Sequence, residues 1–179
     1  MILLQIENEL PTVTSYRRLP SPLGEILIAG ESDRISLLGF QHGTSPIEPR
    51  PEWEETPTDF AEAARQIEAY FRGELRSFDL QVQISGTPFQ GAVWRALTGI
   101  PYGRTASYRE IAARIENPRA VRAVGLANSL NPVPLIIPCH RVIGADGRLT
   151  GYRGGIEIKR KLLELEEAAN RREVKSPAC

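Results

Sequence analysis

Apolar and polar positions alternate in short runs over the first forty residues. Val13 to Arg18, Glu25 to Ala29 and Ile35 to Gln41 read as strands, with Ser21-Pro22-Leu23-Gly24 as a turn between the first two. The segment His42 to Pro57 is rich in Pro, Gly, Ser and Glu and reads as a loop, with Trp53 tucked onto a neighbour. From Asp59 to Gly73 the period lengthens: Phe60, Ala64, Ile67 and Phe71 recur at helical spacing and predict an amphipathic helix. Alternation returns over Phe78 to Ile84.

The second half is mainly helical. Thr87-Pro88 supplies a cap followed by proline at the first helical position, opening a helix through Ala92, Val93 and Leu97. Ser107 and Glu110 form a capping-box pair for a short helix to about Ile115, and Asn117-Pro118 opens another, predicted to run to Leu130. With only Glu116 and Asn117 between them, these two helices have helix-turn-helix spacing. Asp146-Gly147 marks a tight turn, and Gly154-Gly155 precedes a last helix from Ile156 to about Ala169. The pattern predicts an α+β fold. A small N-terminal antiparallel β-sheet domain with one helix (1–84) is followed by a mainly helical domain (85–170) and a flexible tail (171–179).

Composition narrows the function classes. Hydrophobic content of 41% and charge of 25% in 179 residues are those of a globular protein with a real core. Two cysteines, one of them the terminal Cys179, make no disulfide framework, and the reducing cytoplasm is the expected compartment. Met1-Ile2-Leu3-Leu4 is too short for a signal segment, and no run approaches the length of a membrane span. Cys139, Cys179, His42 and His140 are the whole Cys/His inventory, which argues against zinc, and no EF-hand spacing occurs; neither metal nor cofactor is expected. The zero net charge conceals a split. Residues 1–88 carry seven Arg and no Lys against fourteen Asp and Glu, whereas residues 89–165 carry twelve Lys and Arg against five acids. A basic half suits a polyanion partner.

That half contains Cys139, in the run Leu135-Ile136-Ile137-Pro138-Cys139-His140-Arg141-Val142-Ile143. The apolar run reads as a buried strand that Pro138 ends, leaving the thiol at the strand exit, followed by an imidazole and a guanidinium. Cationic neighbours favour the nucleophilic thiolate; the alternative is a small buried hydrophobe.

Four ordered blocks carry a resemblance: Arg122-Ala123-Val124-Gly125, Asn131-Pro132-Val133-Pro134, Pro138-Cys139-His140-Arg141-Val142 and Gly151-Tyr152-Arg153-Gly154-Gly155. Over about residues 85–166 the chain resembles the O6-alkylguanine-DNA alkyltransferase (methylated-DNA–protein-cysteine methyltransferase) family; the first eighty residues agree in general layout. The resemblance implies a ribonuclease-H-like N-terminal domain and a winged-helix-like helix-turn-helix. It also implies a monomeric DNA repair protein that flips O6-alkylguanine, and O4-alkylthymine, out of double-stranded DNA. The alkyl group then passes irreversibly to Cys139, without a cofactor.

Roles follow by resemblance. His140, through water, and Glu166 on the last helix activate the thiol; the alternatives are a structural histidine, and Glu164 or Glu167 in place of Glu166. The Tyr108 hydroxyl meets N3 of the extruded guanine, and Lys159 lies near the site. Arg122 fills the void left by the base, with Arg119 as a phosphate contact. Ala123 and Ala127, with other small residues, let the helix approach a minor groove, or equally pack tightly on another helix. Ser107 begins the DNA-contacting helix. Asn131 anchors the hinge before the nucleophile. Tyr152, Arg153 and Gly154 form a loop over the base, and the carbonyls of Cys139 and Val142 accept from its amine. The chain lacks the zinc ligands of some relatives, and Arg153 stands where some carry serine. Two other functions compete: a non-catalytic, alkyltransferase-like damage-binding protein, which would lack the cysteine, and a thiol hydrolase that recruits His42.

Overall fold

The computed structural model describes residues 1–174. Eight strands, five helices and one 3-10 turn follow each other along these residues. The N-terminal half contains β1 (Leu3–Glu7), β2 (Ser15–Leu19), β3 (Ile26–Glu31), β4 (Arg34–Phe40), β5 (Glu54–Glu55), α1 (Ala61–Phe71) and β6 (Gln81–Ser85). The C-terminal half contains α2 (Pro88–Thr98), β7 (Ala106–Ser107), α3 (Tyr108–Arg114), α4 (Val121–Ser129), β8 (Val142–Ile143) and α5 (Ile156–Val174).

The six-stranded sheet has the order β1-β6-β4-β3-β2-β5. Its centre, β2-β3-β4, is the antiparallel meander that the alternating pattern predicts. The flanks are parallel, β1 and β4 each with β6 and β5 with β2, so the sheet is mixed rather than antiparallel throughout. Two of these strands had no sequence signal of their own: β1 is an edge strand with alternate residues exposed, and β5 is two residues inside the Pro-rich loop.

The central strand is covered on both faces. Ile26 and Ile28 face the main core, while Leu27 and Ala29 meet Ile47 and Trp53 from the loop 42–53. Trp53 also stacks on the Arg50 guanidinium. The main core runs without a break from Leu19 to Leu162, so the two halves share one interior.

The capping boxes at Thr87–Gln90 and Ser107–Glu110 both form, and Pro88 takes the first position of α2. Three expectations fail for physical reasons. α4 begins at Val121, not Pro118: Glu116 adopts a left-handed φ of 56° that ends the preceding turn, and the Ala120 N–H closes a turn onto the Asn117 carbonyl. The helix-turn-helix connection is therefore 115–120, longer than two residues. The run before Cys139 is not a strand: Pro132, Pro134 and Pro138 donate no backbone bonds, Leu135 has φ 81°, and Cys139–Arg141 form the 3-10 turn. Third, α5 continues to Val174, through the first residues of the expected tail, while Cys179 lies outside the described residues.

Trp94 of α2 ties the helical half together by donating its indole N–H to the Ala127 carbonyl at 2.9 Å. Replacing it with Phe leaves that buried carbonyl unpaired. We expect Trp94→Phe to cost about 2 kcal/mol, read as a lower urea midpoint with unchanged slope.

Candidate active site

Helical spacing brings Lys159, Leu162 and Glu166 onto the inner face of α5, and all three are buried. Glu164 and Glu167 face outward, so only Glu166 reaches the site. Its carboxylate accepts from the Tyr70 hydroxyl at 2.8 Å, the Gly103 N–H at 2.9 Å and the Arg141 guanidinium at 2.9–3.1 Å. His140 Nε2 lies 2.9 Å from Oε1. Burial acts to raise the Glu166 pKa, yet bonding to His140 and Arg141 outweighs it and holds the carboxyl at about 2.

The 3-10 turn places consecutive side chains in one cluster instead of on opposite faces of a strand. Burial lowers the His140 pKa below its usual value, so the ring is neutral. A neutral imidazole facing an ionised carboxylate through Nε2 carries its proton there. Nδ1 is left as an acceptor, buried and without a hydrogen-bond partner among the described residues. Arg141, expected as a cationic neighbour of the thiol, turns away to Glu166 and to the Ile100 carbonyl.

Cys139 is only 1% exposed. Burial pushes its thiol up to about 11, against the opposing effects of the Asn131 amide and the charges of Lys159 and Arg153. The shift toward thiolate expected from cationic neighbours is therefore reversed by burial. Asn131 donates to the Ile137 carbonyl at 2.8 Å and accepts from the Val133 N–H at 3.0 Å, which fixes the Pro-rich segment leading to the cysteine. Lys159 donates to the carbonyls of Val142 at 2.6 Å and Thr150 at 2.8 Å, and burial lowers its pKa to about 8. One lone pair of the Val142 carbonyl is thus occupied; the Cys139 carbonyl accepts the Val142 N–H.

Tyr152 is buried beside His140, with ring centroids 6.4 Å apart. Tyr108 is half-buried: its hydroxyl accepts from Thr150 at 3.1 Å, and its ring abuts Gly125 of α4. The Ser107 oxygen is engaged as the cap of α3. Arg153 and Gly154 lie in the loop before α5, with Gly154 buried.

Arg122 and Ala123 lie on the exposed face of α4, with Arg119 exposed in the turn before it. Ala127 does not share that face: it is buried under Trp94, which corrects its expected place at the DNA surface. The sequence reading missed Leu126 and Leu130, which are 61% and 47% exposed on α4. A leucine pair at i, i+4 resembles an ordinary core stripe until the helix is oriented. It also missed Tyr70 and Gly103 as carboxylate partners, for which no local pattern exists. His42 is exposed and packs over Gly24 in the N-terminal half. No group of three or more potential metal ligands occurs among the described residues.

Residues 88–168 match the family model for the 6-O-methylguanine DNA methyltransferase DNA binding domain, and residues 14–84 match that family's ribonuclease-like domain. A methylated-DNA–protein-cysteine methyltransferase of Methanosarcina barkeri is 55% identical over 85% of this chain and 96% of its own. That of Mycobacterium tuberculosis is 51% identical over 86% and 92%. The chain belongs to this family. The crystal structure of Mycobacterium tuberculosis O6-methylguanine methyltransferase superposes with a TM-score of 0.82 at 48% identity, covering 94% of this chain and 97% of that one. The M. tuberculosis OGT structure in complex with DNA gives 0.81 at 50% identity, over 87% and 94%.

A folded-state pKa of about 2 against 4.5 for the unfolded carboxyl means that Glu166 stabilises the fold above pH 4.5. That contribution, roughly 3 kcal/mol, is lost as pH falls from 4.5 toward 2. The stability difference between wild type and Glu166→Gln, measured by denaturant titration, should shrink over this range and stay constant above it.

Proposed function

We propose that this protein repairs DNA by moving the alkyl group of O6-alkylguanine, and of O4-alkylthymine, from double-stranded DNA onto Cys139 Sγ. The observation that carries the reading is the buried Cys139-His140-Glu166 arrangement, whose neutral imidazole keeps Nδ1 free to accept a proton. Sulfur attacks the alkyl carbon as the C–O6 bond breaks, and the electron pair of that bond passes to the base. Because the thiol is held near 11, its proton leaves as the C–S bond forms, through a water, to His140 Nδ1. Glu166 then stabilises the imidazolium. Tyr108 faces the departing base and supplies a proton to it, and the proton held by His140 returns through water to the phenolate, so the products are a thioether and neutral guanine with both side chains neutral again. A thioether is not reversed by thiol exchange, so each molecule acts once.

The base must leave the stack to reach a buried sulfur. We infer that it enters past Tyr108 and Thr150, whose mutual hydrogen bond lies at the surface and contributes only about 1 kcal/mol. Arg122 occupies the void in the duplex, Arg119 contacts phosphate, and Ala123 admits the helix to the minor groove. Asn131 holds the nucleophile segment, and Lys159 and Arg153 bring positive charge to the thiol. Tyr152 and Gly154 line the base site with the remaining acceptor of Val142. Ser107 sets the start of the helix that carries Tyr108. The domains act as an acidic body (1–84) and a basic DNA-binding unit (85–170), in a monomer working in the cytoplasm. No helix of the described residues is long and apolar enough to cross a membrane. A damage-binding protein of the alkyltransferase-like kind would lack the cysteine that stands at 139, and a hydrolase would need His42, which is exposed, at a sulfur that is buried.

Incubation with an O6-methylguanine duplex should add one methyl per protein and no more by mass spectrometry, and none to Cys139→Ser. Uptake of several methyl groups per molecule defeats the reading.

The exposed Leu126 and Leu130 extend the Arg122 face of α4, and apolar wedges suit a minor groove. Leu126→Ala should weaken duplex binding about fivefold without altering its salt dependence. Arg119→Ala should instead reduce the slope of log affinity against log salt by about one. Binding titrations at several salt concentrations separate the two.

A further inference from the structure

The loop before α5 carries Tyr152 against His140 and Arg153 near the thiol, yet it belongs to no sheet or helix of the C-terminal half. Its backbone is held from the other half of the molecule. Thr44 Oγ1 donates to the Arg153 carbonyl at 2.8 Å. Gly43 approaches so closely that a Cβ there would lie 2.9 Å from the Gly154 oxygen and 3.0 Å from its Cα. A Cβ on Gly154 would meet Tyr152 at 2.6 Å and Phe40 at 3.2 Å. Thr44 also lies against Gly155, whose φ of 92° favours glycine.

The holding segment is itself anchored. Gly43 N–H closes a turn onto the Phe40 carbonyl at 3.0 Å, and Gln41 N–H bonds the Glu25 carbonyl at 2.8 Å. Two residues before Phe40, the Leu38 N–H donates to the Pro132 carbonyl at 2.9 Å. One strand and its turn therefore grip the chain on both sides of Cys139: the Pro-rich segment before it and the loop after it.

We propose that the turn Phe40–Thr44 is a positioning element for alkyl transfer, with Thr44 setting the loop that places Tyr152 beside His140. This rests on the alkyl-transfer reading and assigns the acidic N-terminal half a part in the reaction without contact to DNA. The physical basis is orientation. A loop with no ladder of its own samples many positions, and small displacements of groups around a reacting centre cost rate. The hydroxyl–carbonyl bond is exposed, so losing it should change loop position more than global stability.

The test uses the full chain and an O6-methylguanine duplex, with single-turnover transfer measured over a range of DNA concentration. Thr44→Val should lower the maximal transfer rate about three- to tenfold, leaving half-saturation and thermal midpoint unchanged. Thr44→Ser, which keeps the hydroxyl, should return the rate to within about twofold of wild type. Gly43→Ala should slow transfer further by pushing on Gly154. A Thr44→Val protein as fast as wild type overturns the proposal. So does a rate loss that serine does not rescue, or a rise in half-saturation alone, which would make Thr44 a DNA contact. If wild type itself takes up no methyl group, the alkyl-transfer reading has failed; if wild type reacts and Thr44→Val matches it, only the positioning role has.

Discussion

The buried carboxylate of Glu166 is the point on which both the fold and the chemistry turn. An ionised carboxyl away from water is costly unless every acceptor position is satisfied. Here the donors arrive from α1 through Tyr70, from the turn after α2 through Gly103, and from the 3-10 turn through His140 and Arg141. Elements distant in sequence are thereby drawn to one atom group on α5. Tyr70 belongs to the sheet half and Gly103 to the helical half, so the same carboxylate that orients the imidazole also joins the two halves. Loss of any donor would leave charge uncompensated, which is why the network behaves as a unit and not as separate contacts.

The charge pattern around the sulfur is one of restraint. Burial raises the thiol, lowers the Lys159 ammonium to about 8 and keeps His140 neutral. A protonated, enclosed thiol is a poor nucleophile and a poor target for oxidants. For the proposed single use of Cys139, that resting state has a physical logic. The base is needed only when the alkyl carbon is present, and an imidazole with one nitrogen committed to Glu166 and the other free meets that need. Lys159 serves two ends: its charge favours thiolate, while its hydrogen bonds hold the Val142 and Thr150 carbonyls on either side of the loop 144–149.

Much of this was legible in the residues. The capping pairs at Thr87 and Ser107 act locally, so their side chains report helix starts wherever the helix lies. Cys139, His140 and Asn131 lie in ordered blocks of sequence, whereas Glu166 lies in none and could be told from Glu164 and Glu167 only once the helix was oriented. The strand predicted at Leu135–Ile137 failed because apolar content records burial and not backbone path; the prolines on both sides carried the better information. The thiol shift was misjudged for a related reason. Adjacent charges in sequence are not adjacent in space, and Arg141 points to Glu166 while desolvation dominates at sulfur. Partners separated by many residues, such as Tyr70 with Glu166, leave no trace in local pattern at all.

With the duplex on the outer face of α4, as proposed, the geometry of that helix makes extrusion of the base a necessity. Its outer face presents Arg122, Ala123, Leu126 and Leu130, while Val124, Ala127 and Asn128 are buried on its inner side. The Asn128 amide points to the Cys139 carbonyl at 3.5 Å, so the nucleophile segment backs directly onto this inner face. A helix with its side chains is about 10 Å thick, and a base stacked in a duplex on the outer face cannot approach sulfur through that thickness. The only way to join the two is to carry the nucleotide around the edge of the helix, where Gly125 leaves space beside the Tyr108 ring. Small residues on one edge, a bulky cation on the outer face and a buried sulfur behind are thus parts of a single constraint: the surface proposed to bind the duplex and the sulfur proposed to react lie on opposite sides of one helix.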